Sequence, residues 1–123
     1  MTLSTTHIIQ LCSFAILLSC GQMLFKLSAS SLPSLASVNG IFALFLNLWF
    51  WLALVLYGAA TLLWIFILQQ VPLSLAYPFV ALGFVIVPMG SWILFKEPLS
   101  LYYIMGVFLI IAGLGVITIM APK

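Results

Sequence analysis

The sequence contains no aspartate and no arginine, and only one glutamate, one histidine, two cysteines and three lysines in 123 residues. Each shortage excludes something. Charged residues make up 3% of the chain against roughly a quarter in soluble domains, too few to cover a water-exposed surface. Disorder is excluded as well, because it requires low hydrophobicity and high charge. A single carboxylate, Glu97, rules out a paired-carboxylate site, and the missing aspartate rules out a Ser-His-Asp triad. His7, Cys12 and Cys20 do not amount to a metal cluster, and no cofactor is expected. The two cysteines lie eight residues apart in one apolar stretch, about 12 Å of helical rise, beyond disulfide reach. Neither enzymatic activity nor a nucleic-acid partner is expected.

What the chain has in abundance is apolar length: 67% hydrophobic residues and a mean hydropathy of +1.43. One membrane span takes about 20 apolar residues, so the chain accommodates four. The fold class predicted is an all-α membrane protein, residues 1–123 forming one domain with both termini on one side. The helices are placed at about 6–28, 41–68, 73–95 and 100–120. The first run has no basic flank and is long for a signal peptide, so it reads as a membrane helix. Residues 29–40, rich in serine with Pro33 and Asn39-Gly40, read as a loop. The run from Ile41 to Leu68 is long for one span. It reads as a span from about Trp49 preceded by an interfacial piece, Ile41 to Asn47, or as one long tilted helix. Gln69 to Pro72 is a tight connection. Pro78 and Pro88 fall inside the third span, where each removes a backbone hydrogen bond and bends the helix, suggesting a lined cavity or a packed kink. Ser100 suits the N-cap of the last helix.

The few polar residues fall on stripes. At 100° per residue, Cys12, Ser19, Gln22 and Lys26 share an arc of about 80° on the first helix. Tyr57, Gly58, Thr61 and Trp64 form a second stripe, joined by Asn47 if the helix continues that far. Ser74, Tyr77, Ala81, Phe84, Pro88 and Ser91 form a third. Three such faces suggest an interior chamber, since polar groups within spans avoid lipid; hydroxyls bonded to their own backbone are the alternative. Lys26 would cost about 2.5–3.5 kcal/mol at a helix centre but lies near a helix end, where it can snorkel. It reads either as an anchor or as a site for phosphate or carboxylate. Gly106 and Gly113, seven residues apart on the last helix, let two backbones approach in lipid and read as a dimer seam. Lys26 and Lys96 weakly favour cytoplasmic loops after the first and third spans.

The elements Gly21-Gln22-Met23-Leu24-Phe25-Lys26, Val71-Pro72-Leu73-Ser74-Leu75-Ala76-Tyr77-Pro78 and Lys96-Glu97-Pro98, with the glycine-bearing last helix, carry a resemblance. Over roughly residues 12–119 the chain resembles the small four-helix, EamA-like members of the drug/metabolite transporter superfamily. It is most similar there to the ArnE-type subunits of undecaprenyl-phosphate-aminoarabinose flippases. The same register is similar, more distantly, to the small multidrug resistance family. Those exporters use a membrane-embedded glutamate three residues before the glycine that matches Gly21, and that position here is Leu18. The resemblance therefore implies a flippase, or flippase subunit, for a polyprenyl-phosphate-linked sugar in the bacterial inner membrane. Lys26, Gln22, Ser19, Trp64, Thr61, Tyr77 and Glu97 are the candidate substrate-binding residues. A homodimer (antiparallel included) or a heterodimer with a similar small subunit would be the working unit. With no proton site in a span, transport would run down the gradient set by synthesis and consumption. Small-cation export and a non-transporting structural subunit are the other readings.

Overall fold

A computed structural model describes residues 3–119. Four helical segments are long and apolar enough to cross a membrane: Thr5–Ser31, Leu48–Leu68, Leu73–Phe95 and Leu101–Ile119. The chain is a multi-pass, all-helical membrane protein. Position 120, the far end of the expected fourth helix, and Lys123 lie outside the described residues.

The first helix, α1 (Thr5–Ser31), is longer than expected at its far end, and the loop contracts from 29–40 to 32–37. The serines there act locally as caps. Ser37 Oγ accepts from Gly40 N at 3.1 Å and so starts α2 (Val38–Phe45) inside the stretch expected to be loop. At the other end of α1, Ser4 and His7 form a reciprocal capping box. His7 Nδ1 accepts from Ser4 N, which leaves the proton on Nε2, and Nε2 meets Gln70 Oε1 at 3.3 Å. That bond ties the start of α1 to the turn after α3 (Leu48–Leu68).

The run from Ile41 to Leu68 is two helices, not one. Asn47 makes the break: its Oδ1 accepts from Phe50 N at 3.1 Å as the N-cap of α3, while its Nδ2 donates to Ser31 Oγ at 2.8 Å. Trp51 Nε1 then satisfies the carbonyl of Phe45 at the end of α2, at 2.7 Å.

The third span divides as well. A single turn, α4 (Leu73–Ala76), passes into a 3₁₀ segment (Tyr77–Leu82) with Pro78 in its first turn, and α5 (Gly83–Phe95) follows with Pro88 inside it. The conformational break thus occurs at Pro78, while the helix continues through Pro88. Lys96 closes α5 in the left-handed region, φ 55° and ψ 32°, and turns the chain into the last loop. Ser100 Oγ accepts from Tyr103 N at 3.1 Å and caps α6 (Leu101–Ile119).

The core joins α1, α3, α4 and the 3₁₀ segment through Leu11, Phe14, Ala60, Ile67, Val71, Leu75, Ala76 and Phe79. Gly21 sets the distance between α1 and α3, because a side chain there would run into the ring of Tyr57. Neither α5 nor α6 buries a residue, and α6 packs mainly on the 3₁₀ segment.

Candidate functional site

Between α1, the 3₁₀ segment, α5 and α6 lies an open groove of about 340 Å³. From α1 it takes Ala15, Leu18, Ser19 and Gln22, and from α5 it takes Gly83, Phe84, Val87 and Pro88. Tyr103 closes it from α6. Ser19 is buried and gives its hydroxyl hydrogen to Ala15 O at 2.7 Å, so its oxygen keeps acceptor capacity only. Gln22 donates to the hydroxyl of Tyr57, whose ring also packs on Phe25 with centroids 5.1 Å apart. Gln22 is thereby oriented by α3 while it faces the groove.

Above Gln22, one turn on, Lys26 Nζ sits 3.1 Å from Glu97 Oε1. The other carboxylate oxygen of Glu97 accepts from the Ser91 hydroxyl. Both charged side chains are about half exposed, 50% and 45%. The Ser91 hydrogen bond and then Lys26 hold the Glu97 carboxyl below its ordinary value. The left-handed turn at Lys96 makes this possible, because it returns Glu97 toward the last turn of α5. The sequence reading treated Lys26 and Glu97 separately; the pair links them across 71 positions of sequence.

A second, wholly apolar groove of about 230 Å³ runs between α5 and α6. It shares Phe84, Pro88 and Tyr103 with the first. Pro88 has no N–H, so the carbonyl of Phe84, four residues earlier, loses its helical donor. Tyr103 supplies one: its hydroxyl lies 3.2 Å from Phe84 O. The sequence reading missed Tyr103. The signal was present, because a proline inside a span requires an outside donor and the last helix offers few hydroxyls.

The remaining expected site residues lie elsewhere. Trp64 stacks on Phe14 with centroids 4.5 Å apart, at the edge of the core. Thr61 is exposed and bonds Tyr57 O at 2.8 Å. Tyr77 is 63% exposed and lines neither groove. The stripe on α3 is thus not a groove wall, since α3 packs too closely on α1 at Gly21 to leave space. Instead of three helices around a chamber, α1, α5 and α6 flank a groove. Gly106 and Gly113 face open space: a side chain at either would meet nothing within 4 Å.

The sequence pattern of the Small Multidrug Resistance protein family matches residues 44–110. The chain belongs to the small multidrug resistance family. Its relatives include proteins named probable 4-amino-4-deoxy-L-arabinose-phosphoundecaprenol flippase subunit ArnE. The protein of that name from Enterobacter sp. (strain 638) is 41% identical over 101 residues, covering 82% of this chain and 87% of the relative. That from Klebsiella pneumoniae (strain 342) is 36% identical over 104 residues, 85% and 89% of the two chains. That from Pseudomonas fluorescens (strain Pf0-1) is 41% identical over 69 residues, 56% and 60%. No solved structure matches the chain. Leu18 and Ser19 lie side by side in the groove wall.

Proposed function

We propose that this chain is a subunit of a flippase that carries a polyprenyl-phosphate-linked amino sugar across the bacterial inner membrane. The observation that carries the reading is the charge distribution of the groove. Leu18, Ser19 and Gln22 present a wall without a carboxylate, and the cation of Lys26 lies one turn beyond it. Such a wall suits hydrogen bonding to a sugar and attraction of a phosphate, and it gives a proton-exchanged organic cation no counter-charge. The relatives' names support the same substrate class. The apolar groove between α5 and α6 adjoins the polar one and offers a surface that a long hydrocarbon tail can follow while the head moves.

The working unit in this reading is a dimer, with itself or with a similar four-helix subunit, joined through α6 at Gly106 and Gly113. The open face of α6 supports this, since small residues allow close helix approach in lipid.

Delivery of the aminoarabinose lipid across the membrane, at matched membrane abundance of each variant, tests the reading. Lys26→Arg is expected to keep part of the activity, and Lys26→Met to lose most of it with synthesis of the lipid unaffected. Gln22→Leu should show a milder defect. Near-normal delivery by Lys26→Met would leave Lys26 as a snorkelling residue and end the anion-site reading. Proton-coupled efflux of quaternary ammonium dyes would replace the flippase with an exporter.

A further inference from the structure

The ion pair between Lys26 and Glu97 occupies the cation that a phosphate would need. Glu97 is the sole acidic residue of the chain, and it is placed 3.1 Å from one of only three lysines. The placement is built rather than incidental: Lys96 takes a left-handed backbone, and the Ser91 hydroxyl holds the second carboxylate oxygen. Yet the pair is half exposed on both sides, and such pairs contribute little to stability. A pair of this kind can be opened by a ligand at little cost, provided neither charge is then left beside a like charge.

We infer that Glu97 reads the amine of the headgroup. On substrate entry the Lys26–Glu97 pair is exchanged for two pairs with a zwitterionic head, Lys26 to the phosphate and Glu97 to the sugar ammonium. The inference rests on the flippase reading above and assigns its selectivity to one residue. A head of this class carries its anion and its cation on opposite sides of a sugar ring, so the two side chains part by the width of that ring. Both have room to do so, since neither is enclosed. Ser91 keeps the carboxylate positioned while Lys26 turns away, and Gln22, one turn below, is left for the sugar hydroxyls. A head with a phosphate and a neutral sugar gains the same contact with Lys26 but sets a second anion next to an unpaired Glu97. That repulsion is a penalty against the wrong substrate, which contacts to the right one cannot supply alone.

The test uses the full chain in lipid nanodiscs, with any subunit that co-purifies. The probes are undecaprenyl phosphate bearing 4-amino-4-deoxy-arabinose and the same lipid with its amine acetylated, which removes the positive charge. The wild type is expected to favour the free amine by up to about fivefold, the scale of one half-exposed charge contact. Glu97→Gln should bring the two probes to within about twofold while phosphate-dependent binding persists. Lys26→Met should weaken both. A Lys26→Glu/Glu97→Lys double variant re-forms the pair with its polarity reversed. Thermal stability should return toward wild type while binding does not, because the lipid tail fixes which end of the head meets which side chain. Equal wild-type affinity for the two probes, with loss of both in Lys26→Met, would overturn this inference and leave the flippase reading standing. The full wild-type preference surviving in Glu97→Gln, or binding restored by the double variant, would overturn it as well and make the pair a structural tie. Failure of the wild type to bind either probe would overturn both.

Discussion

The two halves of the molecule are built on opposite packing principles. Where α1 meets α3 and α4, apolar side chains are fully buried, as with Leu11 and Ile67, and the one glycine at the contact is pressed against a tyrosine ring. Where α5 meets α6, nothing is buried, and the glycines of α6 face open space. In lipid, association gains nothing from hiding apolar surface, so helices join where shapes fit or where backbone polar groups need donors. The first half is held by fit. In the second, α5 leans on α1 and α6 on the 3₁₀ segment, and the hydrogen bond that joins α5 to α6 is that of Tyr103 to a carbonyl that Pro88 has freed.

The largest effect should come from the same substitution placed in each half. Gly21→Leu drives a side chain into the Tyr57 ring, which Phe25 and Gln22 hold in place, and over-packing of this kind costs about 1–3 kcal/mol. Thermal unfolding in detergent should therefore occur well below wild type. Gly113→Leu meets no atom of its own chain and should leave that transition unchanged, while crosslinking between copies in membranes declines. If the two variants unfolded alike, the contrast between the halves would not hold.

The difference between the halves also explains what was legible beforehand. Span number and the tight turn at Pro72 follow from local chemistry and can be read residue by residue. The break near Asn47 is one of two readings of its run, and the cap that its side chain makes to Phe50 N decides it. The loop at 29–40 was overestimated because Ser37 was read as loop composition rather than as a cap. The stripe on α1 lies on one continuous helix, but the stripe expected on the third span crosses the 3₁₀ segment and is not one face, and a stripe does not say which neighbour it meets. Gly21 decides that for α3 by drawing Tyr57 against α1, which leaves Thr61 and Trp64 off the groove. The pairing of Lys26 with Glu97 required the turn of Lys96, a left-handed backbone at a residue type that gives no hint of it.

A smaller effect should follow from removing one oxygen. Tyr103→Phe keeps the ring that lines both grooves but leaves Phe84 O without a protein donor. The cost expected is about 0.5–1.5 kcal/mol, the net worth of one hydrogen bond, with little change in the α1–α3 core. Hydrogen exchange should rise in α5 around Pro88 and in the first turns of α6, and remain as in wild type at the buried positions of α1. Introducing Ala at Pro88 as well would restore an N–H to Phe84 O, so the double variant should recover the protection lost. No change in exchange for Tyr103→Phe would mean that the tyrosine bond does not hold α6 to α5.

The smallest effect concerns the loop that closes the open half. Glu97 is the sole Asp or Glu in the chain, so labelling with ¹³C-glutamate gives one side-chain carboxyl signal whose titration is read without assignment. Its midpoint should fall below the ordinary carboxylate value because the Ser91 hydroxyl and Lys26 both favour the charged form. The sign for stability follows from that direction. With the folded value lower than the unfolded one, the carboxylate supports the fold above the unfolded value, about pH 4.3, and that support is lost as pH falls through the folded midpoint. Stability should accordingly be level from neutral pH down to about pH 5 with respect to this group. Since the pair is half exposed, the loss at lower pH should be slight. Ser91→Ala and Lys26→Met should each move the midpoint upward, because the serine hydrogen bond favours the charged form and Lys26 does so through both a hydrogen bond and its charge. A wild-type midpoint at or above the ordinary carboxylate value, unmoved by either substitution, would mean that neither partner holds the charge of Glu97.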